Sequence, residues 1–124
     1  MESTGDDLKN RSLWRRSGYA LNGILAGLHR EGSLRLELAA AVAALILFAW
    51  LRPPAVWWAI GVFIMAAVLA AELINSAIEA LADHLHPTLH AEIRVVKDMA
   101  AGAILVLNLA ALIVLVLLLA TALR

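Results

Sequence analysis

The chain has 124 residues, of which 63% are hydrophobic, against roughly 45–50% in a soluble globular domain; this excludes an ordinary soluble fold and indicates an integral membrane protein. Lys plus Arg equals Asp plus Glu, ten of each, so the charge balance gives no support to nucleic acid as a partner. Cysteine is absent, which removes disulfide frameworks and thiolate chemistry.

Residues 1–12 are polar and are expected to form a poorly ordered N-terminus. Residues 13–31 carry helical periodicity, with Leu13, Trp14, Leu21, Ile24, Leu25 and Leu28 on one arc and Arg15, Arg16, Asn22, His29 and Arg30 on the other. Such a helix, basic on its polar face, suits the plane of a membrane interface rather than a crossing. Tyr19 falls on the polar arc and is either an interfacial anchor or a ligand contact. Glu31-Gly32-Ser33 ends this helix and starts the next, because glycine supplies a C-terminal cap and serine an N-cap.

Three apolar segments follow, predicted as spans over 33–51, 54–84 and 97–123, with a loop over 85–96. The first reaches span length only if the charged pair Arg35 and Glu37 lies at an interface, since about 20 residues are needed to cross a bilayer. Its start lies more than thirty residues into the chain and no small-residue cleavage pattern follows it, so it reads as a retained span and not a signal peptide. Arg52-Pro53-Pro54 separates the first two spans, because the residue before proline avoids helical geometry and proline starts helices well. Trp50, Trp57 and Trp58 flank that turn, as aromatic residues do at a headgroup boundary. Most basic residues lie before the first span or between the second and third. By the positive-inside rule the N-terminus and second loop are cytoplasmic, and Arg52 and the C-terminus lie outside.

The second span ends in A-E-L-I-N-S-A-I-E-A-L-A-D. At about 100° per residue, Glu72, Asn75, Glu79 and Asp83 fall at relative angles of roughly 0°, 300°, 340° and 20°, one narrow stripe. Ionisable groups on a spanning helix are costly and mark a functional site by default. Mutually repelling carboxylates call for a cation, and Mg²⁺ suits one or two carboxylates plus phosphate oxygens. Counted from Pro54, Glu72 lies about 27 Å along the helix, near the cytoplasmic edge of the ~30 Å hydrocarbon core. Transporters place essential ionisable groups near the midplane. An interfacial row can instead meet a lipid headgroup and a water-soluble cosubstrate together.

Plainer readings exist for each of these residues. Asn75 and Ser76 can simply bridge helices, Asp83 can be an ordinary interfacial acid, and Lys97-Asp98 can be snorkelling charges at a helix end, although a lysine there also suits phosphate. His84, His86 and His90 have spacings that suggest zinc, but Pro87 breaks the helix among them and no thiolate accompanies them. The chain has no phosphate-binding G-x-x-x-x-G-K-[ST] loop and no Gly-rich kinase loop.

The stripe motif, followed by K-D-M-A-A-G-A at residues 97–103 and preceded by G-Y-x-x-x-G at Gly18 to Gly23, with Glu31, Arg35 and Glu37, closely resembles the signature of the prokaryotic diacylglycerol kinase family. The resemblance runs from about Gly18 to the end of the third span. It implies an all-α integral membrane fold, with an amphipathic surface helix and three transmembrane helices assembled as a homotrimer in the bacterial inner membrane. It implies transfer of the γ-phosphate of Mg-ATP to diacylglycerol, giving phosphatidic acid, with undecaprenol as the alternative acceptor. By the same resemblance Glu72 is the general base and Asn75 organises the catalytic site, while Glu31 and Glu79 hold Mg²⁺. Tyr19, Thr88, Leu89, His90, Lys97 and Asp98, together with Glu31 and Glu79, would contact ATP. The acceptor lipid would meet Arg16, Ser33, Leu34, Arg35, Glu37 and Glu72. The family often has a nucleotide-binding arginine near the position of Ser12, a contact that Arg11 or Arg15 would have to supply here. Set against this is a non-catalytic membrane protein or small transporter whose polar stripe only joins helices.

Overall fold

The computed structural model describes residues 13–88 and 90–124; Arg11 and Leu89, both expected at the nucleotide, lie outside the described residues. Regular structure among these residues is entirely helical: α1 (Leu13–Arg30), α2 (Gly32–Leu51), α3 (Ala55–Leu85) and α4 (Ala91–Ala122). The last three are long and apolar enough to cross a membrane. The fold is that of an all-α integral membrane protein.

Local chemistry accounts for each break. Between α1 and α2 only Glu31 leaves helical geometry, at φ −114° and ψ 113°, while its N–H still donates to Gly27 O at 2.9 Å. Arg35 then reaches back from α2, its Nη1 donating to the carbonyls of Leu28 at 2.8 Å and His29 at 3.2 Å. A guanidinium on otherwise unpaired C-terminal carbonyls satisfies acceptors and opposes the helix dipole. The α1–α2 corner is thus fixed by a side chain that the sequence reading assigned to lipid contact.

At the other end of α2, Arg52 adopts the left-handed conformation, φ 50° and ψ 53°, and its N–H closes the helix on Phe48 O at 2.8 Å. A non-glycine residue pays about 1–2 kcal/mol for that geometry. Pro53 and Pro54 follow and cannot extend the helix. Pro54 serves as the N-cap of α3, and its carbonyl accepts from Trp57 N–H at 3.0 Å. After α3, Pro87 lies in a short turn, and His90 Nδ1 accepts from Glu92 N–H at 3.2 Å to cap α4. The helix therefore starts at Ala91, six residues ahead of Lys97, where the sequence reading opens the third span. The extra turns carry Glu92 and Arg94 and extend the helix beyond its apolar stretch.

Packing is centred on α3, which lies most extensively along α4 and also against α2, while α1 touches α2 and α3 near its end. Gly61 makes the α2–α3 approach possible: a Cβ there would sit 2.6 Å from Phe48 Cζ. The same Phe48 ring meets Trp58 edge-on, centroids 5.2 Å apart at 76°. Gly27 plays the corresponding part for α1, where a Cβ would lie 2.7 Å from Leu73 Cδ1 and 2.9 Å from Leu34 Cδ2. The buried apolar core is small: Leu34, Ala41, Phe48, Val68, Ala82 and Leu118. Residues such as Phe63, Ile74, Val106 and Leu117 remain exposed on the helices. An apolar surface of that extent belongs against lipid or another protein.

Candidate active site

The buried face of α3 starts apolar, with Gly61 and Val68, and becomes polar at Glu72, Asn75 and Ser76 without leaving the same side of the helix. Glu72 is 4% exposed, Asn75 8% and Ser76 8%. One turn on, Glu79 is half-buried, and Asp83 is exposed. The stripe thus runs from a dry end to a wet end. Asn75 Nδ2 donates to Glu79 Oε1 at 3.4 Å, and Ser76 Oγ donates to the backbone carbonyl of Glu72 at 2.9 Å. Asn75 Oδ1 is buried without a hydrogen-bond partner. A buried acceptor left open costs about 1–3 kcal/mol, so its retention favours a site that waits for a donor. Among the described residues, no hydrogen bond or ion pair reaches the Glu72 carboxylate, which leaves it available as a proton acceptor.

Asp83 anchors the wet end. Lys97 Nζ on α4 lies 2.5 Å from Asp83 Oδ1, joining the end of α3 to the start of α4. Asp98, the neighbour of Lys97 in the chain, is exposed and makes no such bond. Glu31 lies at the α1–α2 corner and lines a cavity of about 240 Å³ between α1 and α3, with Arg30 and Ser76 among its other walls. Neither Glu72 nor Glu79 lines that cavity, whose polar contribution from α3 is Ser76. Arg16, Tyr19, Ser33 and Thr88 are exposed, and Tyr19 and Arg15 have partners of their own. Leu34 is buried at the α1–α2 corner, and the His90 ring is engaged in capping α4.

The sequence matches the Prokaryotic diacylglycerol kinase family over residues 18–119. The chain is also 30% identical over 99 residues to the diacylglycerol kinase of Escherichia coli K12, covering 80% of this chain and 81% of the relative. The diacylglycerol kinases of Escherichia coli O157:H7 and Shigella flexneri match to the same extent. The chain belongs to the prokaryotic diacylglycerol kinase family.

Within this family member the matched region contains every expected site residue except Arg11 and Arg16, which precede it. Glu31 and Glu79 each offer carboxylate oxygens, the ligand type that Mg²⁺ prefers. No cluster of three metal-ligating side chains occurs among the described residues. A Mg²⁺ bound here would complete its coordination with phosphate and water, which is its usual habit in nucleotide sites.

Two relationships escaped the sequence reading. Asp83 is the partner of Lys97, and Asn108, an amide within the apolar stretch of α4, donates from Nδ2 to Glu37 Oε1 at 3.2 Å. The first was accessible in principle from the stripe, whose wet end faces the start of α4. The second had no local signal, because the partners are 71 residues apart.

Proposed function

We propose that the chain is a lipid kinase that transfers the γ-phosphate of ATP to the hydroxyl of diacylglycerol at the cytoplasmic face of the bacterial inner membrane, giving phosphatidic acid. The observation that carries this reading is the graded stripe on α3, buried at Glu72 and open to solvent at Asp83, inside the region matched to the family. A lipid hydroxyl arrives from the dry end and a nucleotide from the wet end. Midplane charges, the mark of alternating access, do not enter this arrangement.

Glu72 accepts the acceptor's proton as its hydroxyl oxygen bonds to the γ-phosphorus and the bond to the β–γ bridging oxygen breaks, releasing ADP. Phosphoryl transfer needs in-line positioning and charge neutralisation more than covalent help, and a positioned carboxylate contributes as general base. Asn75 holds Glu79 through its amide and keeps Oδ1 open toward the site. Glu79 and Glu31 would hold Mg²⁺, which when bound neutralises the phosphate charge. Lys97, with Asp98, Tyr19 and the turn at Thr88, faces the nucleotide. The large exposed apolar faces of α2 to α4 support assembly as a homotrimer, with each site completed by a neighbouring copy.

The test is phosphate transfer by the purified chain in mixed micelles with Mg-ATP, offered diacylglycerol and undecaprenol in parallel. Faster turnover of diacylglycerol is expected. Preference for undecaprenol replaces the acceptor assignment and keeps the lipid kinase, whereas turnover of neither removes the kinase reading.

A further inference from the structure

Glu31 is the one residue between α1 and α2, and its backbone is engaged on both sides. Its N–H donates to Gly27 O at 2.9 Å, and its carbonyl accepts from Arg35 N–H at 3.3 Å. The side chain is half-buried, belongs to a residue that lines the cavity between α1 and α3, and does not cap α2. Among the described residues no hydrogen bond or ion pair reaches its carboxylate. An acid at a helix N-terminus ordinarily takes up the exposed N–H groups there, because the dipole favours it.

The expected charged partner is Arg35, four residues on, the spacing at which an acid and a base pair along a helix. Its guanidinium goes elsewhere. Nη1 donates to the carbonyls of Leu28 at 2.8 Å and His29 at 3.2 Å, which in an unbroken helix would accept from the N–H groups of Gly32 and Ser33. The corner at Glu31 turns those donors away, and Arg35 replaces both from one nitrogen of a rigid, planar group. Arg35 therefore ties the end of α1 to α2 and stays off the acid it would otherwise neutralise. We propose that Arg35 is a positioning residue for Glu31: it fixes the backbone of the corner and leaves the Glu31 carboxylate unpaired for the cation of the nucleotide. The inference rests on the lipid kinase reading, in which Glu31 holds Mg²⁺, and moves Arg35 from the acceptor lipid to the cation.

Binding of Mn²⁺ in the presence of a non-hydrolysable ATP analogue, read as loss of the free-ion paramagnetic resonance signal, tests this in the purified chain, Arg35→Met, Glu31→Gln and the double variant. Arg35→Met is expected to weaken Mn²⁺ binding about tenfold, within the usual range for residues that orient a metal's ligands. It should add little to the loss in Glu31→Gln, since residues that act through one group are not additive. Arg35→Lys, which can still reach a carbonyl, should recover part of the loss, and KM for diacylglycerol should stay at the parent value in both Arg35 variants. Arg35→Gln replaces the methionine variant if that one fails to assemble. Unchanged Mn²⁺ binding overturns the proposal, as does an equal further loss in the Glu31→Gln background or an effect confined to KM for diacylglycerol. A parent chain that phosphorylates neither diacylglycerol nor undecaprenol overturns the kinase reading, and this inference with it; an active parent whose Mn²⁺ binding is indifferent to Arg35 overturns this inference alone.

Discussion

Lys97 reaches across from α4 to Asp83 at the end of α3, Nζ to Oδ1 at 2.5 Å, with both side chains open to solvent at 35% and 65% exposure. Exposed ion pairs contribute about 0–1 kcal/mol, so this one aligns two helix ends more than it stabilises them. Asp83→Asn and Lys97→Met are each expected to shift the thermal midpoint in detergent by only a few degrees. Lys97→Met should also raise KM for Mg-ATP, because it removes the proposed phosphate partner, while Asp83→Asn should not. Equal effects of the two substitutions on KM would show that the pair, and not the ammonium, matters to the nucleotide.

Glu72 combines 4% exposure with a carboxylate that no described side chain engages. Glu72→Gln keeps its shape and loses its basicity, so turnover should fall by about 10²- to 10⁴-fold, the usual scale for general-base catalysis. Mg-ATP affinity should remain near normal. Retention of most activity would exclude Glu72 as the base.

Glu79 and Glu31 are proposed to hold the cation. Glu79→Gln and Glu31→Gln should weaken apparent Mg-ATP affinity and reduce turnover in protein that still assembles, measured as activity against Mg²⁺ concentration. Normal Mg²⁺ dependence in both variants would remove the metal assignment.

Gly61 faces the buried Phe48 ring, with only 2.6 Å available to a Cβ. Gly61→Ala is expected to cost about 1–3 kcal/mol, the usual cost of overpacking, read as a lowered thermal midpoint in detergent. Gly102, where a Cβ meets nothing within 4 Å, is the control, and Gly102→Ala should leave stability unchanged or raise it.

The basic residues predict an orientation that can be checked directly in a chain without native cysteine. Single cysteines near residues 5 and 90 should label from the cytoplasm and one at residue 53 from outside. Labelling of 53 and 90 from the same side would remove the three-span topology.

The architecture was legible because its signals are local. Arg52-Pro53-Pro54 interrupts an apolar run where the backbone must break, and the spacing of Glu72, Asn75, Glu79 and Asp83 follows helical periodicity. The break at Glu31 falls where expected, but Gly32 and Ser33 are inside α2 and Glu31 itself is the N-cap, without a side-chain cap bond, so the expected glycine and serine caps do not form. The site was less legible where partners lie far apart in the chain. Lys97 stands next to Asp98, yet successive residues on a helix point about 100° apart, and its partner proves to be Asp83 on another helix. The start of α4 was missed because its cap is His90, which is not among the residues that usually begin helices. Arg35 drew attention through its charge, and its position against two α1 carbonyls depends on a corner that no periodicity describes.

The continuity of the buried face of α3, from Gly61 through Val68 to Glu72 and Asn75, makes that helix self-indexing. Turning it by one residue would rotate every side chain by about 100°, driving a bulky neighbour of Gly61 into Phe48 and swinging a carboxylate toward hydrocarbon. Steric exclusion at one end and the cost of turning a carboxylate into hydrocarbon at the other thus select the same azimuth. An apolar replacement of Glu72 therefore removes more than the proposed base: it erases one of the two marks by which the helix finds its angle, and such a protein can insert well while seating poorly.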